Sequence, residues 1–381
     1  MRVLVTGGAG FIGSHVVDLL VERGHAVIVL DSLDPQVHGQ TELDEAGVPE
    51  SLEAHAGAGQ VGLVHGDIRD AAAVERALDG VSAVVHLAAA VGVGQSMYVP
   101  RYYTSVNVDG QGALMEAMAR DASRFERLVV ASSMSIYGEG AYHCEAHGDV
   151  APPPRPLAQL AAGAWEVRCP QCGDVARPAL TAESKPLQPT SIYAITKKTQ
   201  EELALCFGAA YGVPTVALRF FNVYGSRQAL SNPYTGVAAI FLARLKNGRR
   251  PLVFEDGAQT RDFIHVSDVA RAVLAALEAP TEATGAYNIC TGRPLAVAEL
   301  AERLATSLGV RVEPQLDDRY RAGDIRHCVG DPAAARRVLG FDAQMGIDEG
   351  LDELIAWAQR TDAVDRVEQA MRELEERGLV R

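Results

Sequence analysis

Tyr193 and Lys197 stand four positions apart in a stretch, Ile192 to Ala210, whose apolar residues recur at helical spacing. Positions four apart share a helix face, so the lysine's charge can lower the phenol's pKa. An unperturbed phenol titrates at about 10 and is a poor base near neutral pH. Beside an ammonium it can take or give a proton there. Ser133 closes the run Arg127-Leu-Val-Val-Ala-Ser-Ser133 and can share a hydrogen bond with the same substrate hydroxyl. These three residues predict proton transfer at an alcohol.

A second constellation offers soft ligands. Cys169-Pro-Gln-Cys172-Gly173 is a tight turn that points two thiolates at one metal, and Cys144-Glu-Ala-His147 adds a thiolate and an imidazole. Four such ligands suit tetrahedral zinc. His143 is an alternative fourth ligand, and the plain alternatives are unconnected thiols or a disulfide, which a reducing compartment disfavours. A closed set of four leaves no open position for substrate, so the expected zinc is structural.

Both sets need a scaffold. Arg2 to Thr6 is an apolar, β-branched run, followed by Gly7-Gly-Ala-Gly10-Phe-Ile-Gly13, a helical pattern from Ser14 to Arg23, and a second apolar run, Ala26 to Leu30, that ends in Asp31. Strand, glycine turn, helix, strand and terminal acid form a dinucleotide-binding unit. The glycines let the backbone approach a pyrophosphate at the positive end of the helix. Asp31 can accept from ribose hydroxyls and repels a 2′-phosphate, so NAD is favoured over NADP. Further strands are expected over Val61 to His65, Val81 to Leu87, Arg127 to Ala131 and Thr215 to Leu218, with helices over Ala71 to Leu78, Val106 to Arg120 and Ile192 to Ala210. Such alternation predicts an α/β fold, a Rossmann-type doubly wound parallel sheet, with a smaller mixed α/β C-terminal substrate domain. The expected boundaries are residues 1–220 for the NAD-binding domain and 221–360 for the substrate-binding domain, with the chain crossing between them, and 361–381 for a C-terminal helix. Residues 34–59 read as a polar loop with a short helix. Residues 139–189 break the rhythm with clustered prolines and read as an insertion within the first domain. Val364, Val367, Met371 and Leu374 form one stripe of the last helix, which reads as packing or fraying rather than binding.

The chain has 381 residues, a net charge of −14 and 48% hydrophobic residues. The acidity argues against a nucleic-acid or anionic-membrane surface. A strand that starts at residue 2 leaves no room for a signal peptide, and no apolar run reaches transmembrane length. A soluble, cytoplasmic protein is expected, with a small-molecule substrate.

The catalytic set and glycine turn, with Gly66-Asp67-Ile68, Ser132-Ser-Met-Ser-Ile-Tyr-Gly138, Arg219-Phe-Phe-Asn-Val-Tyr-Gly225, Arg261-Asp-Phe-Ile-His-Val266 and Arg321-Ala-Gly-Asp324, resemble the extended short-chain dehydrogenase/reductases, in particular the nucleotide-sugar epimerases and dehydratases. The resemblance runs from Met1 to about Trp357, apart from the insertion. It implies that Phe11, Ile12, Leu87, Ala88 and Ala89 lie against NAD, that Asp67 and Ile68 flank the adenine, and that Asn107 sits on the helix beneath the cofactor. It also implies that Asn222 bonds a substrate phosphate or sugar oxygen, that Arg261 and Arg321 hold the substrate diphosphate, and that Asp324 holds a ribose hydroxyl or orients Arg321. A dianionic bridge suits arginine forks. A homodimer built on the helices from Val106 and Ile192 is implied as well.

Dehydratases of this group carry an acidic pair just after the serine position, whereas this chain has Met134 and Ser135. The sequence therefore resembles a 4-epimerase, which needs a base, a hydride acceptor and room for a keto sugar to turn. The insertion's pattern is similar to a subgroup that includes dTDP-L-rhamnose 4-epimerases; UDP-hexose 4-epimerases are the neighbouring possibility. A 4-reductase or dehydratase on the same substrates, and a non-catalytic sensor of NAD or a nucleotide sugar, are the competing readings. Asp31 weighs against an NADPH reductase, Met134 against a dehydratase, and the complete proton-transfer set against a sensor.

Overall fold

The computed structural model describes residues 1–38, 49–55, 59–321 and 323–380. Most of the stretch read as a polar loop lies outside them; its described parts are a short helix, Pro35–His38, and a 3-10 helix, Glu50–His55.

Seven parallel strands form the first sheet, in the order Gly285–Ile289, Thr215–Phe220, Arg127–Ser133, Ala83–His86, Arg2–Thr6, Ala26–Asp31, Val61–His65. Side chains alternate along a strand, and both faces here are covered. Val3, Val5, Val27 and Val29 pack with Val16, Val17 and Leu20 of the helix Phe11–Glu22 and with Val269 and Val273 of the helix Val266–Glu278. Leu4, Leu30, Val84 and Leu128 face the other way, onto Val74, Leu114, Met118 and Phe207. Burial on both faces is why these strands read as continuous apolar runs. The strand order reverses at Arg2–Thr6, and a crevice opens beyond the carboxyl ends at such a point.

A second sheet of seven strands is mixed. Asn222–Tyr224, Thr260–His265, His327–Gly330 and Arg177–Thr181 run parallel in that order, and Ala141–Cys144 and Gly148–Val150 continue it antiparallel. Pro294–Ala296 pairs with Thr260–His265 on the side. Residues 139–189, expected as an insertion within the first domain, thus supply three strands of the second sheet. The chain crosses the other way as well, since Gly285–Ile289 edges the first sheet.

The last helix spans Val367–Glu376. Met371 and Leu374 are buried, but Val364 precedes the helix and is 54% exposed, so it is not part of the stripe. Among the described residues no helix is long and apolar enough to cross a membrane.

Candidate active site

The sheet's carboxyl ends, parts of the second sheet and the last helix enclose one cavity of about 890 Å³. Its nucleotide end begins where Arg2–Thr6 stops. Gly7 takes φ 71°, and a Cβ there would meet the Ala88 backbone nitrogen at 2.9 Å. A Cβ on Gly13 would lie 2.0 Å from the Gly7 carbonyl oxygen. Only glycine lets the helix start this close to the turn, which leaves the cradle that a pyrophosphate requires. Gly7, Gly10, Phe11, Ile12, Gly13, Asp31, Asp67, Ile68, Leu87, Ala88 and Ala89 all line the cavity.

Asp31 lies at the carboxyl end of its strand. Its Oδ2 accepts from the Ala9 backbone N–H at 2.9 Å and its Oδ1 from that of Leu33 at 3.0 Å, so it braces the glycine turn. Asp67 is paired with Arg69 at 2.5 Å, and that bond holds its carboxyl below the usual range. Asn107 does not line the cavity. It is fully buried, accepts from Ala90 N–H at 2.7 Å and donates to the Ala90 carbonyl at 3.1 Å and to Thr196 Oγ1 at 2.9 Å. It ties the loop after Ala83–His86 to the helix that carries Tyr193 and Lys197.

That helix, Ile192–Tyr211, is capped by Ser191, whose hydroxyl oxygen accepts from Ala194 N–H at 3.1 Å. Tyr193 donates its own N–H to Ser96 Oγ at 3.0 Å, and the ring of Tyr103 meets the Tyr193 ring edge-on at 6.4 Å. Ser133 accepts at Oγ from the Ser135 N–H at 3.2 Å and from the Ser135 hydroxyl at 2.9 Å. Its own proton is left to donate. Burial pushes the Tyr193 phenol above its ordinary value against the opposing bond from Ser133, so the lowering by Lys197 expected from the spacing does not appear here.

Lys197 is 4% exposed, and burial lowers it to about 7, against the raising pull of Glu201. Its Nζ donates to Gln200 Oε1 at 2.7 Å, Gln200 Nε2 lies 3.3 Å from His86 Nε2, and His86 Nδ1 lies 2.7 Å from Thr6 Oγ1. Burial and the Lys197 charge lower His86 to about 3, so the imidazole is neutral. This chain links the catalytic lysine to the strand that carries the glycine turn. The sequence reading missed Gln200, His86 and Thr6. A histidine interrupting an apolar strand, and a glutamine three residues after the lysine, were the available signals.

At the other end Asn222, Arg261, Arg321 and Asp324 line the cavity. The two arginines differ. Arg261 donates to the carbonyls of Thr260, Arg326 and Ile325 at 2.9, 3.0 and 2.6 Å and lies 3.5 Å from Asp324. Arg321 lies over the Phe254 ring at 4.9 Å, and its Nε has no hydrogen-bond partner among the described residues. Asn222 Oδ1 is likewise buried without a partner. Polar atoms left so are costly unless a ligand completes them.

Val367, Ala370, Met371, Leu374 and Leu379 form an apolar wall of the same cavity. Glu373 anchors it, accepting from the hydroxyls of Tyr98 at 2.9 Å and Tyr234 at 2.8 Å. The last helix packs as expected, with Met371 and Leu374 buried against Tyr98, Leu252 and Phe254, and the surface it covers is a wall of the cavity.

A seven-stranded parallel sheet that carries this turn and a Tyr–Lys pair on one helix defines a dinucleotide-dependent enzyme of the short-chain dehydrogenase/reductase class. More closely, the model of the NAD dependent epimerase/dehydratase family matches residues 3–159 and 169–290, and the chain belongs to that family. It is 35% identical to the dTDP-L-rhamnose 4-epimerase of Burkholderia thailandensis over 95% of this chain and 96% of that protein. It resembles the Thermus thermophilus UDP-glucose 4-epimerase solved with NAD, at TM-score 0.72 and 30% identity, over 95% of this chain and 100% of that one. The Thermotoga maritima UDP-glucose 4-epimerase solved with UDP-glucose gives TM-score 0.73 and 30% identity, over 94% and 99%.

The Lys197 environment makes a prediction. Its folded pKa of about 7 lies below the model-peptide value of 10.5. Between these values the unfolded chain binds more protons, so stability rises with pH. In urea denaturation of cofactor-free protein, the wild-type chain should gain stability relative to Lys197→Met between about pH 7.5 and 9.5. A difference that does not change with pH contradicts the burial of this ammonium.

Proposed function

We infer that the protein is an NAD-dependent 4-epimerase of a nucleotide-diphosphate hexose. The observation that carries the reading is the company of Tyr193: it lines one cavity with Ser133, Lys197 and the glycine turn, while positions 134 and 135 are Met and Ser. Elimination of a hydroxyl needs an acid and a base at those positions, and epimerisation at C4 does not. The 35% identical relative supports dTDP-L-rhamnose as the substrate, and the UDP-glucose 4-epimerases among the relatives and solved structures make UDP-hexoses the second choice.

In this reading Gly7, Gly10 and Gly13 receive the cofactor pyrophosphate, Asp31 accepts from the adenine ribose, and Asp67 and Ile68 border the adenine. NAD, when bound, accepts the hydride from C4 and returns it. Tyr193 takes the proton of the 4-hydroxyl and gives it back after the sugar has turned. Ser133 donates a hydrogen bond to that oxygen, with its own lone pairs occupied by Ser135. Lys197 stabilises the phenolate, since an ammonium in a dry site acts on a neighbouring anion far more strongly than in water. Arg321 and Asn222 hold the diphosphate end, and Arg261 and Asp324 shape the loop behind it. The keto sugar can then rotate without leaving. The cysteine cluster takes no part, because none of its four side chains lines the cavity.

The units assigned to these tasks are residues 1–220 for the cofactor and 221–360 for the substrate, with the chain crossing between them, since residues 141–181 give strands to the second sheet and Gly285–Ile289 edges the first, and with 361–381 as the apolar wall. A cytoplasmic location suits a reaction on NAD and nucleotide sugars. A homodimer completes the reading: Ile195 and Leu203 project from the catalytic helix at 48% and 37% exposure, as a helix-pairing face would require.

Two outcomes are expected. Purified protein given dTDP-L-rhamnose or UDP-hexoses, with no NAD added, forms the C4 epimer of at least one, and Tyr193→Phe keeps its NAD but loses about 10²-fold or more in turnover. Near-normal turnover of that variant removes Tyr193 from the mechanism. Light scattering at micromolar concentration should give twice the chain mass, falling to the monomer in Ile195→Glu with Leu203→Glu; a wild-type monomer sinks the dimer.

A further inference from the structure

Two turns far from each other in sequence meet at one point. The first joins the antiparallel strands Ala141–Cys144 and Gly148–Val150, with His147 N–H donating to the Cys144 carbonyl at 3.3 Å. The second is closed by Gly173 N–H donating to the Cys169 carbonyl at 2.9 Å and by Cys169 N–H donating to Asp174 at 2.7 Å. The Gln171 N–H adds a bond to Cys169 Sγ at 3.4 Å. All four ligand atoms of Cys144, His147, Cys169 and Cys172 lie within 4.8 Å of one another.

Their separations discriminate between the possibilities. Cys144 Sγ is 3.7 Å from Cys172 Sγ and 3.6 Å from His147 Nδ1, and Cys169 Sγ is 3.5 Å from the same nitrogen. A tetrahedron with Zn–S of about 2.3 Å and Zn–N of about 2.05 Å has edges of about 3.8 Å and 3.6 Å. A disulfide needs sulfurs about 2.05 Å apart, and all six cysteines are free. His143 is not the fourth ligand: its Nδ1 lies 2.8 Å from Asp149 Oδ1 on an exposed edge. Three thiolates and an imidazole select a soft divalent ion, and four protein ligands close the site.

The position of the cluster says what it holds. Two of the ligands, Cys144 and Cys169, belong to a small buried cluster with Tyr142, Val150, Val167 and Ala176. The strand that bears Cys144 pairs with Arg177–Thr181, which pairs with His327–Gly330, which pairs Cys328 with Arg261 of the cavity. Polar links run the same way. Tyr142 donates to Glu139 at 2.9 Å, and Glu139 accepts from Arg326 N–H at 2.8 Å. Arg155 donates to Glu255 at 2.8 Å and to the Asp324 carbonyl at 3.2 Å, and Glu166 accepts from Arg326 at 2.6 Å.

We propose that Cys144, His147, Cys169 and Cys172 bind one zinc-type ion that locks the outer end of the second sheet and so positions Arg261 and the Asp324 loop at the substrate end of the cavity. Binding of the ion stands independently of the reaction assigned above; its effect on substrate rests on that reading.

The whole chain, purified without chelators from zinc-supplemented cells, should contain about one zinc per chain by elemental mass spectrometry. Replacement by cobalt(II) should give the visible ligand-field bands of a tetrahedral thiolate site, and Cys172→Ser, at an exposed ligand, should weaken or alter them. A well-folded wild-type preparation with no zinc that also fails to give the cobalt bands overturns the site, as does an unchanged cobalt spectrum in Cys172→Ser. Cys169→Ser with Cys172→Ser should raise KM for the nucleotide sugar several-fold with NAD content unchanged. An unchanged KM in that metal-free variant overturns the positioning role. A metal-loaded protein inactive on every sugar tested would count against the reaction, with the metal site intact.

Discussion

A lysine held out of water governs the arrangement of this site. Lys197 is 4% exposed, and burial lowers it to about 7 in spite of the opposing charge of Glu201. Burying an ammonium is unfavourable unless hydrogen bonds and charge compensate it. Here Gln200 supplies the bond, the neutral His86 continues it, and Thr6 ends it on the strand that leads into the glycine turn. The glycine turn and the helix of Tyr193 and Lys197 are thereby tied together through side chains. Asn107 adds a second tie between the catalytic helix and the loop at Ala90. Geometry fixed in advance is what lets a phenol act at an alcohol without reorganising its surroundings.

The opposite wall is built on different principles. Arg326 is fully buried against Glu166, Glu255 and Asp256, and Glu255 adopts φ 56° there. A left-handed glutamate costs on the order of 1–3 kcal/mol, which the bonds from Arg155 and Arg326 offset. Such a network adds little net stability compared with apolar packing, but breaking it by removing one partner is expensive. Its consequence is geometric: the loop of Arg321 and Asp324 is tied to residues 139–166. Of the residues in this network, Glu166 lies in the stretch 160–168 that the family match skips, whereas Arg155, Glu255 and Asp256 lie within the matched residues.

Much of this was legible in the sequence where local periodicity and chemistry suffice. The strands Arg2–Thr6 and Val61–His65 fall at the expected residues, and the helix Ile192–Tyr211 carries Tyr193 and Lys197 as the spacing requires. Long-range pairing was not legible. Nothing local in Ala141–Cys144 or Arg177–Thr181 says that they extend a sheet begun at Asn222–Tyr224. Arginine roles also need coordinates, since sequence cannot tell that Arg261 is committed to carbonyls whereas Arg321 keeps an unpartnered Nε. The last helix packs as its apolar stripe announces, but the stripe does not say which surface it meets, and here that surface borders the cavity.

The central claim is that hydride leaves and returns to the same carbon of a sugar held at its diphosphate. A nucleotide sugar carrying deuterium at C4, incubated with the protein and no added NAD, tests this directly by mass spectrometry and NMR of the separated epimer. The account predicts that the epimer keeps its deuterium at C4 and that no other position gains or loses label. An epimer formed with loss of that deuterium to solvent contradicts it, because inversion would then proceed by deprotonation at carbon, for which Tyr193, Ser133 and Lys197 are not arranged.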